Sequence, residues 1–438
     1  MSKSSLSMSR VLLPLLLLAF ATTARAEALF EAKSTYAVVA GVLEWKDPGL
    51  SSFPKEDRKD QELFETLAKL GVPAAQRTLM LDGQATASAF AGAVRSVIAK
   101  APAGSTIILY YAGHGVKDND GNIIFASADI NLGKLDTTGL HLSEIPAMLK
   151  GFKGKRVLLL ADCCYSGGLA DVANDLSRGG LQVMALTSAE ASNISSGNWT
   201  YSQTLIDALS GRPLLDRDDN GSLTLSELAS EVKEGMRFRE GQRSGWVTHG
   251  VPEDLVVARA GTEPEKLERG EGDYERRDWV VAPHGDARAV ARILGARRDK
   301  GKNTSVFVEF YDYATASRAW IPTQDAQPMV FKTWPAGSEL QVTWEKNIYD
   351  AKVVRVEDGF MWITYPGWDA RWDEWVSADR VVGPKVDPRK TKMAQVEWRG
   401  SWYDATVNHE KDGSFCVSYV GYGAEWDECV PKKRIRFK

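Results

Sequence analysis

Two stretches, Ile107-Ile108-Leu109-Tyr110-Tyr111-Ala112-Gly113-His114-Gly115 and Val157-Leu158-Leu159-Leu160-Ala161-Asp162-Cys163-Cys164-Tyr165-Ser166-Gly167-Gly168, share one pattern: a continuous apolar run closed by polar residues backed by glycine. A run without alternation is buried on both faces, which is the mark of a strand in a covered parallel sheet. Similar runs cover Tyr36 to Leu43, Arg77 to Leu81 and Leu181 to Leu186, with amphipathic stretches between them. Glu62 to Leu70 stops at Gly71, and Ser88 to Lys100 follows Thr86, a good N-cap. Strands alternating with helices predict an α/β domain, a mostly parallel sheet flanked by helices, whose ligands sit at the carboxyl ends of the strands.

Two adjacent parallel strands would bring His114 and Cys164 to one edge of that sheet. An ordinary thiol, with a pKa of about 8.5, is mostly protonated at neutral pH, and a neighbouring imidazole raises its thiolate fraction. The pair is the minimum for a cysteine nucleophile. Either residue alone would read as a satisfied core histidine or an inert thiol; together, at the ends of two matching strands, they point to chemistry. The amides of Gly115 and Cys164 are candidates for an oxyanion hole. Alternation along the strand puts Asp162 on the same face as Cys164 and turns Cys163 away as a small buried hydrophobe. A carboxylate beside the thiol would by itself weaken the nucleophile, so Asp162 makes better sense as the receiver of a cationic substrate side chain.

Tyr110-Tyr111-Ala112-Gly113-His114-Gly115 and Asp162-Cys163-Cys164-Tyr165-Ser166-Gly167 resemble the caspase-like peptidases, especially their metacaspase-type bacterial relatives. Tyr36-Ala37-Val38-Val39-Ala40-Gly41, Leu70-Gly71-Val72-Pro73 and Leu186-Thr187-Ser188-Ala189 extend the likeness over about residues 30 to 258. The resemblance implies a caspase-like sandwich, His114 as general base and acid, Cys164 as nucleophile and Gly115 in the oxyanion hole. It also implies an acidic pocket for Arg or Lys before the cleaved bond, shaped by Asp162 and by Asp60, although the first helix aligns one residue out of step at Asp60.

Asp216-Arg217-Asp218-Asp219-Asn220-Gly221-Ser222-Leu223-Thr224-Leu225-Ser226-Glu227 offers oxygen ligands at loop positions 1, 3, 5, 7, 9 and 12, namely Asp216, Asp218, Asn220, Ser222, Thr224 and Glu227, with glycine at position 6. That is an EF-hand pattern, and hard oxygen donors suit Ca2+. The plainer reading is an acidic turn with a helix N-cap. Outside the cytosol a single weak site would stay filled, which favours a structural role. Nothing points to an organic cofactor.

Of the 14 Trp, only Trp45, Trp199 and Trp246 precede Trp279. In this tail Trp344, Tyr349, Ala351, Tyr365, Gly367, Trp372, Asp373, Glu374 and Val376 each recur 54 residues later as Trp398, Tyr403, Ala405, Tyr419, Gly421, Trp426, Asp427, Glu428 and Val430. A weaker copy precedes them, with Phe310, Tyr313, Trp320 and Ile321 in the places of Tyr365, Trp368, Trp375 and Val376. Fixed-offset repetition predicts tandem small β modules. The pattern resembles the Tudor, agenet and chromo-barrel SH3-like modules, some of which hold methylated lysine in an aromatic cage. Tyr349, Tyr365, Trp368 and Trp372, and Tyr403, Tyr419, Tyr422 and Trp426, are the candidates. The bland alternative is that these rings fill the barrel cores.

The N-terminus joins Lys3 and Arg10 to the apolar run Val11 to Ala21 and ends in Ala24-Arg25-Ala26, a secretory signal cleaved after Ala26. The run is well short of the ~20 residues that cross a bilayer as a helix, so no membrane span is expected after cleavage, and the place is periplasmic or secreted. The 438 residues, with net charge -4, give no basic excess for nucleic acid. The expected organisation is a signal at 1–26, a peptidase domain at 30–258 containing loop 216–227, a charged linker at 259–278, and β modules at 279–335, 336–385 and 390–438. Cys416 and Cys429, both in the last module, are able to pair in an oxidising compartment, although spacing alone does not show that they meet. His141, His249, His284 and His409 show no ligand spacing. The whole reads as an exported cysteine endopeptidase acting on peptide or protein substrates with a basic residue at the cleavage site, with tail modules for a protein or surface ligand. The rival reading is an idle caspase-like scaffold whose tail does the binding.

Overall fold

The computed structural model describes residues 27–437 except 194, 196, 263–273, 312–315, 345–346, 386–391, 412 and 424–425. The expected export signal at 1–26, Tyr313 and the middle of the linker lie outside the described residues. Among the described residues, no helix is long and apolar enough to cross a membrane.

The first domain is a six-stranded sheet of β1 (Thr35–Gly41), β2 (Arg77–Leu81), β3 (Thr106–Ala112), β4 (Arg156–Asp162), β5 (Gln182–Thr187) and β6 (Gly245–His249), in the order β6-β5-β4-β3-β1-β2. The five continuous apolar runs form β1 to β5 and are parallel, whereas β6 returns antiparallel beside β5. Strands β1, β3 and β4 are buried along their whole length, as their lack of alternation requires.

Helices α1 (Lys59–Lys69), α2 (Ala87–Lys100), α3 (Ile145–Met148), α4 (Leu169–Arg178), α5 (Thr200–Leu209) and α6 (Leu225–Glu240) cover the sheet. Thr86 caps α2, its hydroxyl accepting the Ala89 amide at 3.1 Å. One apolar core joins α2, α3 and α4 to the inward side chains of one sheet face, among them Val38, Leu109, Leu159 and Cys163. A second joins α1, α5 and α6 to the other face through Val39, Tyr110, Leu160 and Leu186. Each face thus buries its own set of alternate residues, and the sheet is the middle layer of three. A small antiparallel sheet of Gly115–Lys117, Ile123–Phe125 and Leu140–His141 grows from the tip of β3, an element the sequence pattern did not announce.

Among the described residues, the tail forms three five-stranded antiparallel sheets. Their strands run from Trp279–His284 to Gln327–Pro328, from Glu339–Trp344 to Val381–Pro384, and from Lys392–Trp398 to Ile435–Phe437. Each has its own apolar core. The first module packs on α6: Arg292, with no exposed side chain, pairs with Glu231 and lies 3.4 Å from Glu234, and Trp279 stacks on Phe238 with ring centroids 5.3 Å apart. In the third module Cys416 and Cys429 face each other across neighbouring strands and form a disulfide.

Candidate active site

β3 and β4 run side by side with Ala112 opposite Asp162, and the Gly113 amide donates to the Asp162 carbonyl at 3.2 Å. The two strand tips therefore release His114 and Cys164 at the same carboxyl edge. The approach is close enough to demand glycine, because a Cβ at Gly115 would stand 1.9 Å from the Cys164 carbonyl oxygen.

The His114 ring lies between Trp45 and Phe53, with each centroid 4.5 Å from its own, and Nε2 donates to the Ser51 carbonyl at 2.8 Å. A carbonyl only accepts, so Nε2 carries the hydrogen and the neutral ring keeps its lone pair on Nδ1. Burial lowers the imidazole pKa, opposed in part by that hydrogen bond. The Cys164 sulfur accepts the Ser195 amide at 3.1 Å. Burial raises the thiol pKa; the amides of Ser195, Cys164 and Gly115 pull it back, and Asp162 adds to the rise. Both directions favour the uncharged forms, a thiol and a neutral imidazole.

Cys163 is 1% exposed and belongs to the core below α2 and α4. Asp162 points to the opposite face, where the Ser202 hydroxyl donates to it at 2.6 Å. Burial drives its pKa up to about 7, against hydrogen bonds from Ser202 and Ser188. Asp162 lines a cavity of about 220 Å³ together with Leu43, Phe53, Glu56, Asp57 and Trp199. Glu56 and Asp57 were not singled out from the sequence, where an acidic pair ahead of α1 looks like a solvated loop. Asp60 is not among the lining residues: it is fully buried at the start of α1, where Arg58 holds it at 2.7 Å. Ser195 was also missed, since a serine in a polar loop carries no pattern.

The loop after α5 brings one carboxylate oxygen each from Asp216, Asp218 and Glu227 within 4.8 Å of one another. Asp219 and Gly221 take left-handed backbone conformations, with φ of 57° and 82°. The Asp216 carboxyl is pushed up by burial and by Glu227 nearby. This gathering of hard anionic donors fits a divalent cation. Asn220 and Ser222 sit inside the turn, where the Asn220 side-chain amide donates to Asp218 at 2.7 Å and its oxygen accepts the Ser222 amide at 2.9 Å. Thr224 and Glu227 also form a capping box on α6. The loop is therefore both a helix start and a set of candidate cation ligands.

Two aromatic cavities repeat the sequence repeat. Trp344, Tyr349, Tyr365, Trp368 and Trp372 line about 150 Å³ in the second module. Trp398, Tyr403, Tyr419, Tyr422 and Trp426 line about 270 Å³ in the third, with Asp427 and Glu428. The candidate rings divide: Tyr365 and Tyr419 are core residues, with their hydroxyls donating to Glu374 and Glu428 at 2.6 and 2.8 Å, while Trp368, Trp372, Tyr422 and Trp426 remain exposed.

A thiol and an imidazole at the carboxyl edge of a mostly parallel sheet, with helices on both faces, define a caspase-type α/β domain. The caspase-domain family matches residues 50–271, just over half of the 438 residues, and the chain belongs to that family of cysteine peptidases. No curated protein matches it. Among solved structures, a protein from Geobacter sulfurreducens is 15% identical with a TM-score of 0.38, over 52% of this chain and 100% of that one. Caspase-1 from Spodoptera frugiperda is 12% identical with a TM-score of 0.35, over 53% of this chain and 93% of that one. The four MBT repeats of Drosophila melanogaster Sfmbt, in complex with a methyl-lysine peptide, are 11% identical with a TM-score of 0.14, over 38% of this chain and 64% of that one. The family match and the strand order, not these scores, carry the assignment.

Proposed function

We propose that the chain is an exported cysteine endopeptidase that cleaves peptides after Arg or Lys. The supporting observation is the cavity beside the two strand tips, whose lining includes three acidic residues, Asp162, Glu56 and Asp57, and the aromatic residues Phe53 and Trp199. A cationic side chain seated there would gain ion pairing and cation–π attraction in a partly dry site. Cys164 attacks the scissile carbonyl while its proton passes to the His114 imidazole. The oxyanion takes the amides of Gly115 and Cys164, and His114 returns the proton to the leaving amine, giving a thioester and a free amino terminus. Water, deprotonated by His114, then releases the acid and restores the thiol.

Asp216, Asp218 and Glu227, with Asn220, Ser222 and Thr224, would hold Ca2+, whose contribution is to fix the start of α6 and the chain leading to the first β module. The aromatic cavities would dock a cationic side chain of a partner or substrate. A peptide-library cleavage assay with Cys164→Ala as control tests the central claim. Cleavage after Arg or Lys by the parent and none by the variant is expected; retained cleavage by Cys164→Ala would overturn it, and no cleavage by either would leave the idle scaffold as the reading.

A further inference from the structure

The second β module touches the peptidase domain around the cleft. Arg371 donates to the Asn119 carbonyl at 2.7 Å, in the turn of the small sheet that starts at Gly115. Tyr165, next to Cys164, lies in the field of Glu374 and Arg380. The third contact is built around Arg243, in the segment between α6 and β6.

The Arg243 guanidinium lies 4.2 Å from the centroid of the Trp375 ring, and Trp375 is a core residue of the second module. Its Nη2 reaches Glu357 at 3.2 Å, and Lys233 pairs with Asp358 at 2.8 Å beside it. In the other direction, Nε donates to Glu190 at 2.9 Å while the Arg243 carbonyl accepts the Glu190 amide at 3.0 Å. Gln242 donates to the Ser188 carbonyl at 2.8 Å and to the Ser195 hydroxyl at 3.1 Å. Residues 242 and 243 therefore grip the loop that carries Ser195, and the Ser195 amide donates to the Cys164 sulfur.

We propose that the second β module is a working part of the catalytic unit, and that Arg243 is the positioning residue through which it holds the Ser195 amide against the Cys164 sulfur. This rests on reading Cys164 as the nucleophile. A hydrogen bond to sulfur stabilises the thiolate more than the thiol, so a loosened loop makes the thiol harder to ionise. The titratable groups that interact with the sulfur are Tyr111 from β3, and Asp162, Cys163 and Tyr165 along β4 and its tip, with Lys117 4.5 Å above the Tyr165 ring; His114 leaves the neighbouring tip of β3. Of these, Tyr165 also feels Glu374 and Arg380 of the module, and the variants below substitute neither these two residues nor any group around the sulfur.

The test uses the full chain, reading alkylation of Cys164 by iodoacetamide against pH and, in parallel, peptide cleavage. Arg243→Ala cuts the link from the peptidase side, and the double variant Glu357→Lys with Asp358→Lys cuts it from the module side. Both are expected to move the alkylation limb up by about one pH unit, the equivalent of one hydrogen bond to a charged group. Both should lower kcat by about tenfold with KM little changed, the pattern of a lost transition-state contact. If Arg243→Ala does not fold, Arg243→Lys, which keeps the charge and loses the planar fork, reads the same limb. A limb unmoved from that of the parent in either the peptidase-side or the module-side variant overturns the proposal. Alkylation is read whether or not any peptide is cleaved, so failure of the peptidase assignment shows separately.

Discussion

Arg58 and Asp60 form a buried ion pair, Nη2 to Oδ2 at 2.7 Å, with Asp60 fully buried and the Arg58 side chain 10% exposed. Arg58 also reaches Asp82 at 2.7 Å and the Gly41 carbonyl at 3.1 Å. The carboxylate that the family resemblance offers to a substrate cation has an internal cation instead. Asp60→Asn is therefore expected to act on stability. Removing one partner of a buried pair costs roughly 3–5 kcal/mol, and the retained Asp82 contact places the loss at the lower end of that range. Urea unfolding should show it, while the preference for Arg or Lys in cleavage stays as in the parent. A variant with parental stability and lost preference would put Asp60 in the pocket after all.

Asp162 behaves in the opposite way, because no cation among the described residues is bonded to it and burial holds its pKa up to about 7. An unfolded Asp titrates near ~3.9, so the folded state resists ionisation: the stabilising contribution is complete below the unfolded value and is lost as pH climbs through the folded one. Asp162→Asn, which never ionises, should melt higher than the parent at about pH 8, with that advantage shrinking as pH falls toward about 4. In catalysis the same carboxylate must be ionised to receive a cation. Cleavage after Arg or Lys should rise as pH passes through the Asp162 value, and Asp162→Asn should flatten the rise. A parental pH profile in the variant would take Asp162 out of substrate recognition.

The part of this site that the sequence reveals is the part carried by strand periodicity. Ile107 to Ala112 and Val157 to Ala161 are apolar without interruption, so the first polar residues after them had to lie at one edge of a covered sheet. The alternation of Asp162, Cys163 and Cys164 then assigned faces. What stayed hidden came from loops and from partners distant in the chain. Trp45, Phe53, Glu56 and Asp57 lie in an irregular segment after β1, and nothing in their spacing says that they close over His114 and Asp162. Arg58 carries no sign that its charge is spent on Asp60. The repeat at offset 54 announced the modules, but not which rings enter the cores; that division follows from side-chain contacts such as Tyr365 to Glu374.

Calcium should register as stability. Asp216, Asp218 and Glu227 bring like charges together, and a divalent ion would relieve their repulsion. Arg277 bonds to the Asp216 carbonyl and lies 3.5 Å from Asp219, with Arg276 at 3.6 Å, so the loop also bears on the chain entering the first module. Adding calcium to about a hundred times its Kd should stabilise the folded protein by about 2.7 kcal/mol, seen as a raised Tm that EGTA reverses. Glu227→Gln keeps a side chain able to serve the capping box and removes the anionic ligand, so it should lose most of the calcium response without a large loss of basal stability. An unchanged melt of the parent with EGTA and with calcium would remove the ion from the account.

The exposed rings of the two cavities are expected to bind rather than to stabilise. Trp372 is 43% exposed and meets Trp344 and Trp368 edge to face, with centroids 6.1 and 6.2 Å away; Trp426 is 48% exposed and meets Trp398 and Tyr422 at 5.9 and 6.1 Å. Rings held apart around a space leave their negative faces free for a cation, whereas rings packed to fill a core do not. Trp372→Ala and Trp426→Ala should each shift Tm little, because the buried Tyr365 and Tyr419 retain their bonds to Glu374 and Glu428. Each should weaken binding of a trimethyllysine-containing peptide, read by tryptophan fluorescence, by about five- to thirtyfold, corresponding to a cation–π contact of roughly 1–2 kcal/mol. The double variant should bind no better than either single one. If both variants melted several degrees lower and the parent showed no preference for the cationic peptide over its norleucine counterpart, these rings would be structural and the docking role would fall.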